Sequence, residues 1–237
     1  VKKNIKEIEF DNGEVVLLDK PYGVTSFGLV YQLRIWASKK VGHAGTLDPL
    51  ASGLMILCTG KKTKTIPSLI GQDKVYTGEI CLGSKTNTYD RESEAIPVAA
   101  VDLMTDEKIE EALKKFRGDI LQKPPMFSAV KKDGKKLYEL ARKGEEVHRP
   151  ARPLHIFSFE MLSWEAPLLK FRVHCSSGTY IRALANDLGE ELGVGGYLYS
   201  LRRTAIGDFK IEDAYTLEEL QQHFGNVAKL KTIEPHQ

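Results

Sequence analysis

Cysteine is scarce in this chain and gives no sign of pairing. Cys58, Cys81 and Cys175 are odd in number, far apart and outside any C-x-x-C pair. That argues against a disulfide framework and against a zinc site, and makes a reducing cytoplasm the expected setting. Long apolar runs are missing too: none approaches the ~20 residues that span a bilayer. The opening Val1-Lys2-Lys3-Asn4 lacks the apolar core of a secretory signal. No contact with a membrane is expected. Several catalytic signatures are also wanting. There is no G-x-S-x-G elbow, no pair of histidines four apart, and no G-x-G-x-x-G after a strand. Gly60-Lys61 approaches a phosphate loop, but Lys62 stands where Ser or Thr is needed and Met55 where the first glycine belongs. Hydrolase, metal and nucleotide chemistry thus have little support. No internal repeat, low-complexity tract or long linker divides the chain.

What is present is a globular composition, 42% hydrophobic and 28% charged over 237 residues, enough for one large domain or two small ones. The expectation is a single catalytic domain over 1–237. Net charge is only +2, but it is unevenly placed. From Lys123 to Arg152 there are nine Lys/Arg against four Asp/Glu, a local +5 on an otherwise mildly acidic body. Such a segment is either a polyanion contact or a solvated lysine-rich loop.

The spacing predicts strands at Val15–Leu18, Leu54–Cys58, Lys74–Leu82, Leu154–Leu162, Leu168–Cys175 and Tyr197–Ile206. Helices are predicted after Thr25-Ser26, with Phe27, Val30, Tyr31 and Trp36 as apolar positions, over roughly 106–117 after Thr105, and over Thr179–Leu192. Thr216-x-x-Glu219 is a capping box that opens a last short helix. Between Lys123 and Arg152, Pro124-Pro125 starts an excursion. It carries an Asp133-Gly134 hairpin signal and a short helix over Leu137–Arg142 that stops near Gly144. Hairpins outnumber possible βαβ units, so the fold class is α+β, with a mixed, mainly antiparallel sheet flanked by helices.

The most informative stretch is Gly42-His43-Ala44-Gly45-Thr46-Leu47-Asp48-Pro49-Leu50-Ala51-Ser52-Gly53. Its glycines and proline forbid a regular helix or strand throughout, so it is expected to be a shaped loop presenting His43 and Asp48. On residue types alone it is equally an ordinary connection with Asp48 capping a turn. The full string resembles the catalytic motif of TruB-type pseudouridine synthases, which isomerise a T-loop uridine of tRNA. Other segments resemble that family in the same order. They are Asp19-Lys20-Pro21-Tyr22-Gly23-Val24-Thr25-Ser26, Lys74-Val75-Tyr76, Ser177-Gly178-Thr179-Tyr180-Ile181-Arg182 with Asp187-Leu188-Gly189, and Tyr199-Ser200-Leu201-Arg202-Arg203. Pro125-Met126-Phe127-Ser128-Ala129 and Gly134-Lys135-Lys136-Leu137-Tyr138 resemble its RNA-gripping insertion.

The resemblance implies the pseudouridine synthase catalytic fold, with Asp48 as the catalytic carboxylate and Arg182 set against it. Tyr76 would stack on a flipped base, and Leu201 and Tyr180 would line the pocket. His43 would hold the displaced nucleotide, and Asp90, counted with the RNA-binding residues, would join the charge network of the site. Lys20, Lys64 and the insertion lysines Lys131, Lys132 and Lys135 would meet phosphates, with Met126 and Phe127 in the same RNA-binding insertion. Isomerisation needs no outside nucleophile, redox partner or energy source, so no cofactor and no metal are expected. Asp48 has three possible roles: attack at C1′, stabilisation of cationic character there, or removal of a C2′ proton. The expected partner is the T arm of tRNA, met by a monomer without an obligatory protein partner. A non-catalytic tRNA-binding or folding module of the same fold is the alternative. Two departures stand out. Asn87 and Ser93 replace an aspartate and a glycine of the motif around Asp90, and the additional C-terminal PUA domain of many family members is expected to be missing.

Overall fold

The computed structural model describes residues 2–38, 40–128, 147–225 and the backbone of 131–132 and 135–136. In chain order the strands are β1 (Val15–Lys20), β2 (Val41–His43), β3 (Ala51–Thr59), β4 (Lys74–Leu82), β5 (Ser84–Lys85), β6 (Ile96–Pro97), β7 (Gly118–Gln122), β8 (Lys131–Lys132), β9 (Lys135–Lys136), β10 (Arg152–Glu165), β11 (Leu168–Cys175), β12 (Gly196–Ile206) and β13 (Phe209–Lys210). The helices are α1 (Ser26–Trp36), α2 (Ile66–Ile70), α3 (Asp106–Lys114), α4 (Ile181–Glu191) and α5 (Leu217–Phe224). The chain divides into two compact units, Val1–Thr77 with Leu201–Glu234, and Gly78–Ser200 with Pro235–Gln237. Both crossings fall inside a strand, β4 and β12.

In the first unit β3 is the central strand. β1 and β2 pair with it antiparallel, and the second half of β12 pairs with its start in parallel, Leu201 opposite Ala51 and Arg203 opposite Gly53. Leu54 to Cys58 are all fully buried, as the unbroken apolar run requires of a strand covered on both faces. Leu54, Ile56 and Cys58 pack with Ala44, Ile206 and Ala214. α1 starts where Thr25 accepts the Gly28 N–H at 3.0 Å. Its buried face is not the one expected. Leu29, Val30 and Leu33 point inward while Phe27 and Tyr31 face out, because the aliphatic residues form the wider stripe. α5 has the full capping box, Thr216 and Glu219 each bonding the other's backbone.

In the second unit the order is β12, β4, β11, β10, β7, with β10 antiparallel to both β11 and β7. α3 packs on β10 and on α4. Phe159 and Phe171 meet edge to face at 5.6 Å in its core. α3 is shorter than predicted. The N–H groups of Lys115, Phe116 and Arg117 bond three residues back, tightening the end into a 3-10 turn before Gly118 at φ +82°. α4 begins at Ile181, two residues later than predicted, because the Thr179 hydroxyl donates back to Ser176 O at 2.9 Å and Tyr180 is held by Gln122, as described below. Gly189 lies so close to Gly196 that a Cβ would sit 2.0 Å from its nitrogen. Arg152 pairs with Gln122, so the basic excursion leaves and returns through one strand pair. Within it Lys131 and Lys132 pair with Lys136 and Lys135, as the Asp133-Gly134 signal predicts. The helix expected over Leu137–Arg142 lies outside the described residues. Parallel β12–β3 among antiparallel neighbours, with helices on the flanks, gives the expected mixed, mainly antiparallel α+β fold.

Candidate active site

The Gly42–Gly53 stretch is only partly loop. His43 ends β2 opposite Leu57, the Ala44 N–H bonds Ile56 O at 2.9 Å, and Ala51 already starts β3. The irregular part is Gly45 to Leu50. Gly45 takes φ +99° and Gly53 φ +106°. At Gly53 no side chain fits, since a Cβ would stand 2.3 Å from Arg203 O. Asp48 is half-buried at the tip, with its carbonyl accepting the Ala51 N–H at 3.0 Å.

Three side chains from distant parts of the sequence hold this loop. Ser26 Oγ donates to Leu47 O at 2.8 Å and accepts the Leu47 N–H at 2.9 Å. Arg203, 1% exposed, donates from Nε to Leu54 O at 2.8 Å and from Nη2 to Gly45 O at 3.1 Å. Lys20 has no exposed surface and donates to Val24 O at 2.6 Å, Pro21 O at 3.1 Å and Pro49 O at 3.2 Å. The Gly23 N–H adds a bond to Pro49 O at 2.9 Å. This corrects the expectation for Lys20: all three ammonium hydrogens go to carbonyls, so none is left for a phosphate. Burial pulls its pKa from 10.5 down to about 8, the Asp48 carboxylate opposes the fall, and Arg203 adds to it. Arg202, next in the strand, forks onto Asp19 at 2.6 and 3.0 Å, an ion pair partly open to solvent.

His43 is half-buried, its Nδ1 enclosed without a hydrogen-bond partner among the described residues. Burial lowers its pKa, against a backbone contact at Gly45. Leu201 is half-buried on β12 beside the start of β3, Tyr76 is buried on β4, and Lys64 is exposed in the 3-10 turn Gly60–Thr65. Asp48, His43, Lys20, Tyr76, Leu201 and Lys64 thus belong to the first unit.

The second unit carries Arg182, Tyr180, Asp90, Met126 and Phe127. Arg182, 6% exposed, donates to Thr88 O at 3.1 Å and Phe127 O at 2.9 Å, with its Nε 3.6 Å from Asp90 Oδ2. Asp90 is buried, taking the Thr88 hydroxyl at 2.6 Å and the Glu92 N–H at 2.9 Å. It supports Arg182, as a member of a charge network would, and is too enclosed to serve as an RNA contact. Ser93, the departure from the family glycine, accepts the Thr88 N–H at 3.1 Å, and Asn87 is exposed. Met126 and Phe127 are half-buried at the start of the basic excursion. Sequence reasoning missed Gln122, which is buried and clasps the backbone of Tyr180 from both sides at 2.8 and 3.0 Å. It also missed the anchoring roles of Ser26 and Arg203, although both lie in the quoted motifs.

The class of enzyme to which a chain carrying this loop belongs follows from its similarity to known proteins. Residues 33–181 match the model of the N-terminal domain of the TruB family pseudouridylate synthases. Residues 182–232 match that of the tRNA pseudouridylate synthase B C-terminal domain. The chain belongs to the TruB family. It is 47% identical over 232 residues to the tRNA pseudouridine synthase B of Chloroherpeton thalassium, covering 95% of this chain and 94% of that one. With that of Clostridium acetobutylicum it shares 47% over 204 residues, 86% and 70% of the two chains. Among solved structures it superposes on a chain of a Cbf5-Nop10-Gar1 complex with TM-score 0.71 and 32% identity, covering 94% of this chain and 57% of that one. A chain of an H/ACA RNP bound to a substrate RNA containing 2′-deoxyuridine gives TM-score 0.67 at 29% identity, covering 89% and 53%. The chain therefore spans little more than half the length of those two.

Proposed function

We propose that this chain isomerises a uridine in the T loop of tRNA to pseudouridine, with Asp48 as its catalytic carboxylate. The observation that carries the reading is the loop of the family's catalytic motif, held by Lys20, Ser26 and Arg203 so that Asp48 stands at its tip. The N1–C1′ bond breaks, the uracil turns within the site, and C5 bonds to C1′. N1 takes up a proton and C5 gives one to solvent, so the product is an isomer. All three routes open to Asp48 begin from the carboxylate. A uridine stacked in folded RNA is out of reach and must be flipped out. Tyr76 stacks on the flipped base, where an aromatic face is worth about 1–3 kcal/mol. Leu201 gives the flipped base an apolar wall and His43 steadies the displaced nucleotide, and the family resemblance gives Tyr180 a role with the base as well. Arg182, fixed by Asp90, Thr88 and Phe127, is the cation that the family resemblance implies for the chemistry.

Phosphates are met by Lys64 and by the excursion lysines Lys131, Lys132 and Lys135. The catalytic body with this excursion acts on the T arm as a monomer without an obligatory protein partner. Cys58, Cys81 and Cys175, buried as thiols rather than disulfides, fit a cytoplasmic setting. The test is tritium release from a tRNA transcript labelled at uridine C5. Wild type releases one equivalent per tRNA. Asp48→Asn releases none while keeping most of its tRNA affinity, because phosphate contacts dominate binding. Turnover by Asp48→Asn at the wild-type rate removes Asp48 from the chemistry. Tight binding by wild type without release leaves a binding module instead.

A further inference from the structure

The outward face of α1 is unusual for a surface helix. Phe27 is 64% exposed and Tyr31 51%, one turn apart on the same side, with Ile35 following a further turn on. The Arg34 guanidinium lies 5.9 Å from the centre of the Phe27 ring. Single exposed apolar residues are ordinary, but two aromatic rings in line with a cation over one of them form a strip. Tyr22, also exposed, precedes it in the turn that Lys20 and Gly23 tie to Pro49.

Two observations say what the strip meets. The first is continuity with the catalytic loop. Ser26, the residue before Phe27, is the one whose hydroxyl is bonded both ways to Leu47, next to Asp48. The first turn of α1 is therefore fixed beside the loop that carries Asp48, where RNA held at Asp48 would meet it. The second is charge. From Lys20 to Leu47 the chain carries Lys20, Arg34, Lys39 and Lys40, and no aspartate or glutamate. A protein partner that buries aromatic rings gains nothing from the missing acids, whereas a polyanion does. Aromatic faces interleaved with Arg and without acids are the pattern that holds unpaired nucleotides.

We propose that Phe27 and Tyr31, with Arg34, form a base-stacking strip that binds unpaired nucleotides of the tRNA next to the uridine being modified. The strip would hold bases outside the pocket of Tyr76 and so act on affinity rather than on bond breaking. This rests on the reading of the chain as a tRNA-modifying enzyme.

The experiment compares wild type with the double variant Phe27→Ser/Tyr31→Ser on a full-length tRNA transcript. Both side chains are exposed, so the fold should survive, and a thermal melt within a few degrees of wild type confirms it. The expected result is a Kd weakened at least about tenfold, as the loss of base–aromatic stacking predicts. The slope of log Kd against log salt should stay as in wild type, because no phosphate contact is removed. Phe27→Trp/Tyr31→Trp should restore affinity. A double variant that binds with the wild-type Kd overturns the proposal. So does a wild-type dimer that the double variant splits with tRNA affinity intact, which would give the strip to a second copy of the chain. Tritium release by wild type is read separately, so failure of the enzymatic reading is not mistaken for failure of the strip.

Discussion

Replacing Lys20 by methionine separates two roles for this lysine. Met keeps the length and apolar stem but removes the ammonium. The carbonyls of Pro21 and Val24 then lose their donor, the second in a buried position, while Pro49 O keeps the Gly23 N–H. An orphaned buried acceptor costs about 1–3 kcal/mol. Against this, the ammonium is itself costly to bury: its fall from 10.5 to about 8 corresponds to about 3 kcal/mol. Setting the middle of the first range, for the two carbonyls left without a donor, against the second leaves a net destabilisation of about 1 kcal/mol. For a chain of this size that lowers Tm by about 2–4 °C. The loop carrying Asp48 loses one tie to the Pro21–Val24 turn, so turnover should fall as well. Affinity tells the roles apart. A lysine on a phosphate would take about 0.7–0.9 from the slope of log Kd against log salt when removed. Lys20, enclosed and fully used, should leave that slope unchanged. The assays are urea or thermal unfolding followed by tRNA binding at several salt concentrations. A variant with wild-type Tm and a reduced salt slope would refute the structural role and restore the phosphate contact.

Other outcomes follow from neighbouring features. Gly53→Ala combines a strained φ of +106° with a Cβ 2.3 Å from Arg203 O. It should destabilise by at least about 2 kcal/mol in a urea melt, the strained φ alone costing about 1–2 kcal/mol, and wild-type stability would contradict the close approach of β3 and β12. Gln122→Leu leaves the Tyr180 N–H without a partner, while its C=O keeps the Leu184 N–H at 3.1 Å, and should cost about 1–3 kcal/mol. The same melt checks it, with the loss of tRNA turnover as a second readout. Between about pH 8 and 10.5 the folded state releases a Lys20 proton that the unfolded chain keeps, so this group's contribution to stability rises with pH there. Turnover should nevertheless decline above about pH 8, as the neutral amine serves fewer carbonyls, and Lys20→Met should lack that decline. His43 is the opposite edge. Its lowered pKa means that below the ordinary histidine value the unfolded chain binds a proton the folded one resists, so stability falls on acidification. His43→Gln should flatten that limb in pH-dependent melts.

Local signals carried well from sequence to structure. The capping box at Thr216 and Glu219, the cap at Thr25 and strand β4 are where the spacing puts them, because each is set by residues a few positions apart. The anchors of the site were harder to see. Arg203 reaches Gly45 across 158 positions and Gln122 reaches Tyr180 across 58, and no local pattern marks a side chain whose partner is a distant carbonyl. Lys20 shows the same limit from the other side. A lysine near a catalytic loop of an RNA enzyme suggests phosphate, and only its burial shows that the protein's own carbonyls have taken it. The face of α1 was misjudged because Leu29 and Leu33 outweigh the aromatics in fitting the core, leaving the rings outside.

The parallel pairing of β12 with β3 has a consequence for synthesis. Gly53 and Arg203 meet although 150 residues separate them, and Gly45 is held by that same arginine. While the ribosome is still adding β12, Asp48 has long been made but its loop lacks one of its three anchors. Non-local contacts of this kind form late. A nascent or truncated chain that stops before Arg203 should therefore hold Asp48 on a loop short of one anchor, so the loop is completed only near the end of translation.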